Sequence, residues 1–205
     1  MTNTIFKSIK LINPATNFNQ KVNVVIQNET IISISKDLNL EKFHKDNKTI
    51  IYDCEGLTMS PGIFDMRVNI GKTENLKFTQ ITAAESGITS MAILPNQTPK
   101  LNNPSIIDHI KRQSEDINLP KVMVYGAATK DLNGLEMSEI GLMSEMGAIG
   151  FTNGNKSIKN SLVMRRLMSY ATMINRPIIQ HAEDEDLSGL NQASTTSIRG
   201  EMNEG

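Results

Sequence analysis

From Leu57 onward the chain alternates continuously apolar runs with stretches of helical character, and this alternation restricts the fold more than any other feature. The runs "GIFDMRV", "ITSMAILPN", "KVMVYGAAT", "AIGFTNG" and "PIIQHAE" read as strands. Between them, Glu74 to Ser86, Ser105 to Glu115, Met137 to Met146 and Ser161 to Ile174 read as helices. Strands that are apolar on both faces need cover on both faces, so repeated βα units of this kind form a parallel sheet packed by helices. The remaining choice lies between a doubly wound sheet and a (β/α)8 barrel. No GxGxxG follows the first strand, which removes the best signature of a dinucleotide fold. Polar residues instead gather after each strand: Arg67 and Asn69, Asn96, Thr129 and Lys130, Asn153, then His181 and Glu183. Barrel enzymes assemble their sites at those strand ends.

The fold class expected is therefore α/β, a partial (β/α)8 TIM barrel. A full barrel has eight βα units and commonly about 250 residues. Here about five units are legible in 205 residues, so residues 57–205 read as the first half of such a barrel, truncated. A half-barrel leaves strand edges and apolar helix faces open, which points to association with a partner or with further copies. The first 56 residues differ in kind. "FKSIKLINPA", "KVNVVIQN", "ETIISISKDL" and "KTIIYDCEG" are short β-rich runs without helical spacing between them, expected to form a small antiparallel sheet.

Charge narrows the partners. With 21 basic and 22 acidic side chains, net charge is −1 and no basic run stands out, which argues against nucleic acid. No segment has the length and apolarity of a membrane span or a signal peptide, so the expected location is the cytoplasm. Cys54 is the only cysteine; it excludes a disulfide framework and reads as a small packed side chain rather than a nucleophile.

Only three histidines are present, His44, His109 and His181. His44 and His109 fall in polar segments and receive no role. His181, at a strand end before Glu183, Asp184, Glu185 and Asp186, reads either as a metal ligand with carboxylate support or as a hydrogen-bonded histidine beside a solvated acidic loop. Asn96 in "ILPNQTP" is either a turn former or a ligand-binding amide. Asn153-Gly154 is a turn dipeptide that offers an amide where a metal centre wants a carboxylate, and Lys156 reads as a solvated loop lysine. Arg165 and Arg166 form a polar helix face, and the methionines of "MSEIGLMSEMG" recur at core spacing. Arg67 and Asn69, two apart on a strand, share one face.

The ordered set "LINPATNFNQ", "SPGIFDMRV", "AAESGITSMAILPNQTP", "VYGAATKDLNGLEMSEIGLMSEMGAIGFTNG", "VMRRLMSYA", "IIQHAED" and "GEMNEG" resembles the first half of a bacterial dihydroorotase, of the amidohydrolase superfamily. That resemblance implies a zinc-dependent barrel with a small β-domain, here residues 1–56 as part of a composite urease-like β-sandwich. The implied reaction interconverts carbamoyl-aspartate and dihydroorotate by cyclic-amide hydrolysis in pyrimidine biosynthesis, with a metal-bound hydroxide as nucleophile.

Carried over position by position, the family's metal-binding HxH pair falls on Arg67 and Asn69, and its substrate arginine on Gly71. Its metal-binding acid or lysine falls on Asn153-Gly154. Guanidinium has no lone pair for a metal, and a carboxamide is a poor zinc ligand. Asn96 resembles the substrate-contacting asparagine, and His181 resembles a zinc ligand; the remaining histidine and the catalytic aspartate would lie beyond Gly205. "DMRVNIG" thus resembles the non-catalytic dihydroorotase-like subgroup that lacks HxH. That subgroup implies an architectural partner of aspartate carbamoyltransferase, with zinc lost or weak. Two further expectations stand beside it: an active zinc-dependent cyclic amidohydrolase with an atypical site, and a truncated fragment without independent function.

Overall fold

The computed structural model describes residues 2–38, 49–115 and 120–183. The chain divides into two compact units, Met1–Pro61 and Gly62–Gly205.

In the first unit, β1 (Asn3–Asn13), β2 (Phe18–Gln27), β3 (Thr30–Ser35), β4 (Thr49–Asp53) and β5 (Thr58–Met59) form one five-stranded sheet. A short 3-10 turn, Pro14–Thr16, joins β1 to β2; the Asn13 side chain caps it and Asn17 closes it in the left-handed region. The β2–β3 hairpin turns through Asn28, also at positive φ, as a tight two-residue connection favours. The sheet is mixed rather than antiparallel. β2 runs antiparallel to β1 and to β3, while β4 and β5 each pair with β1 in parallel. Ile9, Val22, Val24 and Cys54 build its core, so the lone thiol is a packed side chain.

In the second unit, β6 (Ile63–Val68), β7 (Ile88–Ile93), β8 (Lys121–Ala127), β9 (Ala148–Thr152) and β10 (Ile178–Ile179) lie in sequential order. Every neighbouring pair is parallel. Helices α1 (Leu76–Glu85), α2 (Pro104–Glu115), α3 (Ile140–Glu145) and α4 (Ser161–Met173) fill the four connections. The result is a curled half-barrel. The helices begin or end a few residues from their expected limits: α1 follows a 3-10 turn at Thr73–Asn75, and α3 is shortened to six residues by the preceding loop.

Alternation along the strands sorts the apolar residues by face. Met91 and Ile93 of β7 and Val124 of β8 join Leu76, Ile107, Ile110, Met143 and Leu167 in the core between sheet and helices. Ala92, Leu94 and Tyr125 form a second cluster on the opposite face, with Met123 and Ile149 against it. Asn160 caps α4 by accepting from the backbone N–H groups of Leu162 and Val163, which fixes where the loop after β9 ends. No helix is long and apolar enough to cross a membrane among the described residues.

Candidate functional site

Parallel strands in sequential order place all five carboxyl ends at one end of the sheet, and the polar residues singled out above collect there. Arg67 is the penultimate residue of β6, and Asn69 follows the strand by one. Both are exposed. The Asp65 carboxylate accepts the Arg67 backbone N–H at 3.0 Å, and the Asn69 side chain accepts from Gly71 N–H at 2.9 Å. Arg67 Nη2 donates to Asn155 Oδ1 at 2.8 Å, linking the end of β6 to the loop after β9. Its guanidinium makes no ion pair among the described residues.

Asn153 lies at the heart of a closed hydrogen-bond knot. It is 2 % exposed, and Thr129, after β8, is fully buried. Thr129 N–H donates to Asn153 Oδ1 at 3.1 Å, and Asn153 Nδ2 donates to Thr129 Oγ1 at 2.8 Å. The same hydroxyl oxygen accepts from Gly134 N–H at 2.9 Å. Both the oxygen and the nitrogen of the amide are hydrogen-bonded within the protein, as burial of a polar group demands.

Next to the knot stands a group in the opposite condition. The Asn96 side chain packs on Gly154, where a Cβ would sit 2.9 Å from its carboxamide; Gly154 itself has φ of +66°. Among the described residues, the buried Asn96 Oδ1 has no hydrogen-bond partner, and Gln97, 3 % exposed, has neither side-chain polar atom paired. His181 Nε2 lies 2.6 Å from Glu183 Oε2, the arrangement in which a carboxylate fixes a ring tautomer. Asp184, Glu185, Asp186 and His44 lie outside the described residues. His109 is exposed on α2, and Arg165 and Arg166 lie on the exposed face of α4. Of the "MSEIGLMSEMG" methionines, Met143 is in the core, Met137 packs against it, and Met146 is 39 % exposed.

Chemically, this end of the sheet offers a guanidinium, several carboxamides and one histidine–carboxylate pair. Among the described residues, no group of three or more His, Cys, Asp or Glu is placed to hold a metal ion. At the positions of Arg67, Asn69 and Asn153 the donor set does not fit zinc, because one is a fixed cation and the oxygen of the buried amide already accepts from Thr129. Sequence reasoning missed Asn155 and Gln97. The run "FTNGNK" carried the signal for Asn155, a polar side chain just past a site strand, but its partner lies 88 residues away.

A family model described as dihydro-orotase-like matches residues 58–198. Among curated proteins, the dihydroorotase of Caldicellulosiruptor saccharolyticus is 29% identical over 207 residues, covering 96% of this chain and 47% of its own. That of Endomicrobium trichonymphae is 31% identical over 202 residues, covering 95% and 46%. The chain thus spans about half the length of the relatives it matches. Among solved structures, the L-hydantoinase (dihydropyrimidinase) of Arthrobacter aurescens superposes with a TM-score of 0.71 at 19% identity, covering 100% of this chain and 44% of that one. A D-aminoacylase mutant superposes at 0.63 and 14% identity, covering 89% and 45%.

Proposed function

The chain belongs to the dihydro-orotase-like family, and on that premise we propose that it is a catalytically impaired dihydroorotase-like protein of pyrimidine biosynthesis, a structural partner of aspartate carbamoyltransferase. The observation that carries the reading is the Thr129–Asn153 knot. Cyclic-amide hydrolysis in this family needs a metal to generate hydroxide at neutral pH, and metal ligands must present free lone pairs. At the fourth-strand position a buried amide spends its acceptor on a backbone N–H instead. At the first-strand position Arg67 adds a permanent positive charge, which opposes a divalent cation. Zinc is accordingly lost or weakly held.

The carbamoyltransferase assignment rests on the likeness of "DMRVNIG" to the non-catalytic members of the family. Affinity purification of the native protein from its own cells tests it directly. Co-elution with a carbamoyltransferase in a fixed ratio is the expected result; separate elution under low salt sinks the partnership.

One observation favours a second reading, an active zinc enzyme with an atypical site. His181 is held by Glu183 at 2.6 Å, as a metal-binding histidine with an orienting carboxylate would be. Metal content measured together with dihydroorotate turnover, in the presence of the co-purifying proteins, separates the two. Stoichiometric zinc with turnover establishes the active enzyme; metal-free, inactive protein establishes the impaired one.

A further inference from the structure

The sequence holds two Asn-Gly pairs, Asn133-Gly134 and Asn153-Gly154, and the fold treats them oppositely. In such a pair the glycine backbone nitrogen, unhindered by a Cβ, lies within reach of the asparagine carboxamide carbon. Attack closes a five-membered succinimide and expels ammonia. Asn153 is withheld from this chemistry: it is 2 % exposed, Thr129 holds both ends of its amide, and Gly154 N–H donates to Thr152 Oγ1 at 3.1 Å. Asn133, in the loop after β8, is exposed. Its Oδ1 accepts the Leu135 N–H at 2.9 Å, which curls the carboxamide back across the Gly134 peptide and withdraws charge from the carbon under attack. Asn133 also lines a hollow of about 720 Å³ with Leu132, Leu135, Lys156 and Asn160, which admits the water that hydrolysis needs. These surroundings depend on no open edge, because β8 is the middle strand of five and the loops of both neighbours flank its own. Lys100 Nζ, after β7, donates to Asp131 O at 3.1 Å, and Ile158 Cα, after β9, lies 3.8 Å from where a Gly134 Cβ would sit.

One contact opposes the reaction. Gly134 N–H donates to the buried Thr129 Oγ1 at 2.9 Å, so the nitrogen that must lose its proton and turn on Asn133 is held in the knot with Asn153. We propose that Asn133 is a covalent modification site, deamidating through a succinimide at a rate set by opening of the Thr129–Gly134 hydrogen bond. Gly134 N gives its proton to solvent and bonds to Asn133 Cγ, while the bond from Cγ to Nδ2 breaks and that nitrogen leaves as ammonia. Water then opens the ring at either carbonyl, giving aspartate or isoaspartate at 133. Either product adds a negative charge to a loop that already carries Asp131 and Glu136. Isoaspartate also lengthens the backbone by a methylene beside the knot. The Thr129 hydroxyl thereby times a one-way change in this loop. The proposal stands independently of whether the site holds metal.

Peptide mapping of the full folded chain, after prolonged incubation in mildly alkaline buffer, tests it. The expected result is aspartate and isoaspartate accumulating at Asn133 while Asn153 stays an amide, with conversion at both in urea-unfolded protein. Asn133→Gln, whose longer side chain disfavours the five-membered ring, removes the acidic product. Thr129→Val speeds conversion at Asn133 by roughly tenfold, the scale set by one lost buried hydrogen bond, and Thr129→Ser keeps the parent rate. Selectivity for Asn133 in Thr129→Val separates release of Gly134 from loss of the fold, which frees Asn153 as well. The parent supplies a second measure: in urea below the unfolding transition, conversion at Asn133 rises in step with hydrogen exchange of Gly134 N–H. Asn133 that persists in folded protein while the unfolded chain is converted overturns the proposal. So does equal conversion of Asn153 in the folded parent, or a rate at Asn133 that does not follow Gly134 exchange.

Discussion

Gly154 and Asn153 are neighbours whose substitutions fail for different physical reasons. At Gly154 the backbone sits at φ +66° and the Asn96 carboxamide occupies the space of a side chain, 2.9 Å from the Cβ position. Gly154→Ala is therefore expected to lose more than about 1 kcal/mol in urea unfolding, from conformational strain and displacement of Asn96 together. At Asn153 the backbone is ordinary, but truncation leaves the Thr129 N–H buried without its acceptor. Asn153→Ala is expected to lose about 1–3 kcal/mol in the same experiment. Asn69 provides the contrast: it is exposed and among the described residues its side chain bonds only Gly71, so Asn69→Ala stays within about 0.5 kcal/mol. The sequence alone placed Arg67 and Asn69 on a site strand and Asn153 at the end of another, because strand spacing and turn chemistry are local. It did not reveal that Asn153 is held by Thr129 or that Arg67 reaches Asn155, because those partners are chosen by how separate strands align.

At the scale of elements, the βα alternation was legible because each unit declares itself within about 30 residues. Strand direction in the first unit was not. β4 could join the sheet on either edge and in either direction as far as its own residues are concerned, and the structure pairs it in parallel with β1 through Asn3 to Lys7. The two-residue β5 was too short to announce itself at all. α4 shows what the helical pattern specifies well: Val163, Leu167 and Ala171 at spacing four face the sheet and are buried. Leu167→Ala should cost about 2–5 kcal/mol, with the upper part of that range reached if the emptied site fails to collapse. β8 carries a pH signature of its burial. Tyr125 is almost fully buried, and desolvation raises its hydroxyl pKa above the ordinary 10.0. The fold thus favours the neutral phenol, so this contribution is complete below the unfolded value and is lost as pH rises through the folded one. Thermal melting should fall more steeply above pH about 10 in the parent than in Tyr125→Phe, and identical profiles would show that the hydroxyl is solvated.

For the whole molecule, the informative division is between two cores rather than between two folds. Sequence texture changes near residue 57, and compactness separates Met1–Pro61 from Gly62–Gly205, because β5 at Thr58–Met59 is spent on β1. The core of the first unit draws on Ile9, Val22, Val24 and Cys54, that of the second on Leu76, Ile110, Phe151, Leu167 and others, with no residue in common. Stability held in separate cores opens in separate cooperative units. Native-state hydrogen exchange of Val24→Ala and Leu167→Ala, side by side, reads this out. Val24→Ala should speed exchange across β1 and β2 while leaving β8 and β9 protected, and Leu167→Ala should do the reverse. If either substitution speeds exchange equally in both sheets, the chain unfolds as one unit and the small sheet has no stability of its own. The outcome also bears on the proposed structural role, which requires surfaces that hold their shape independently of an active site.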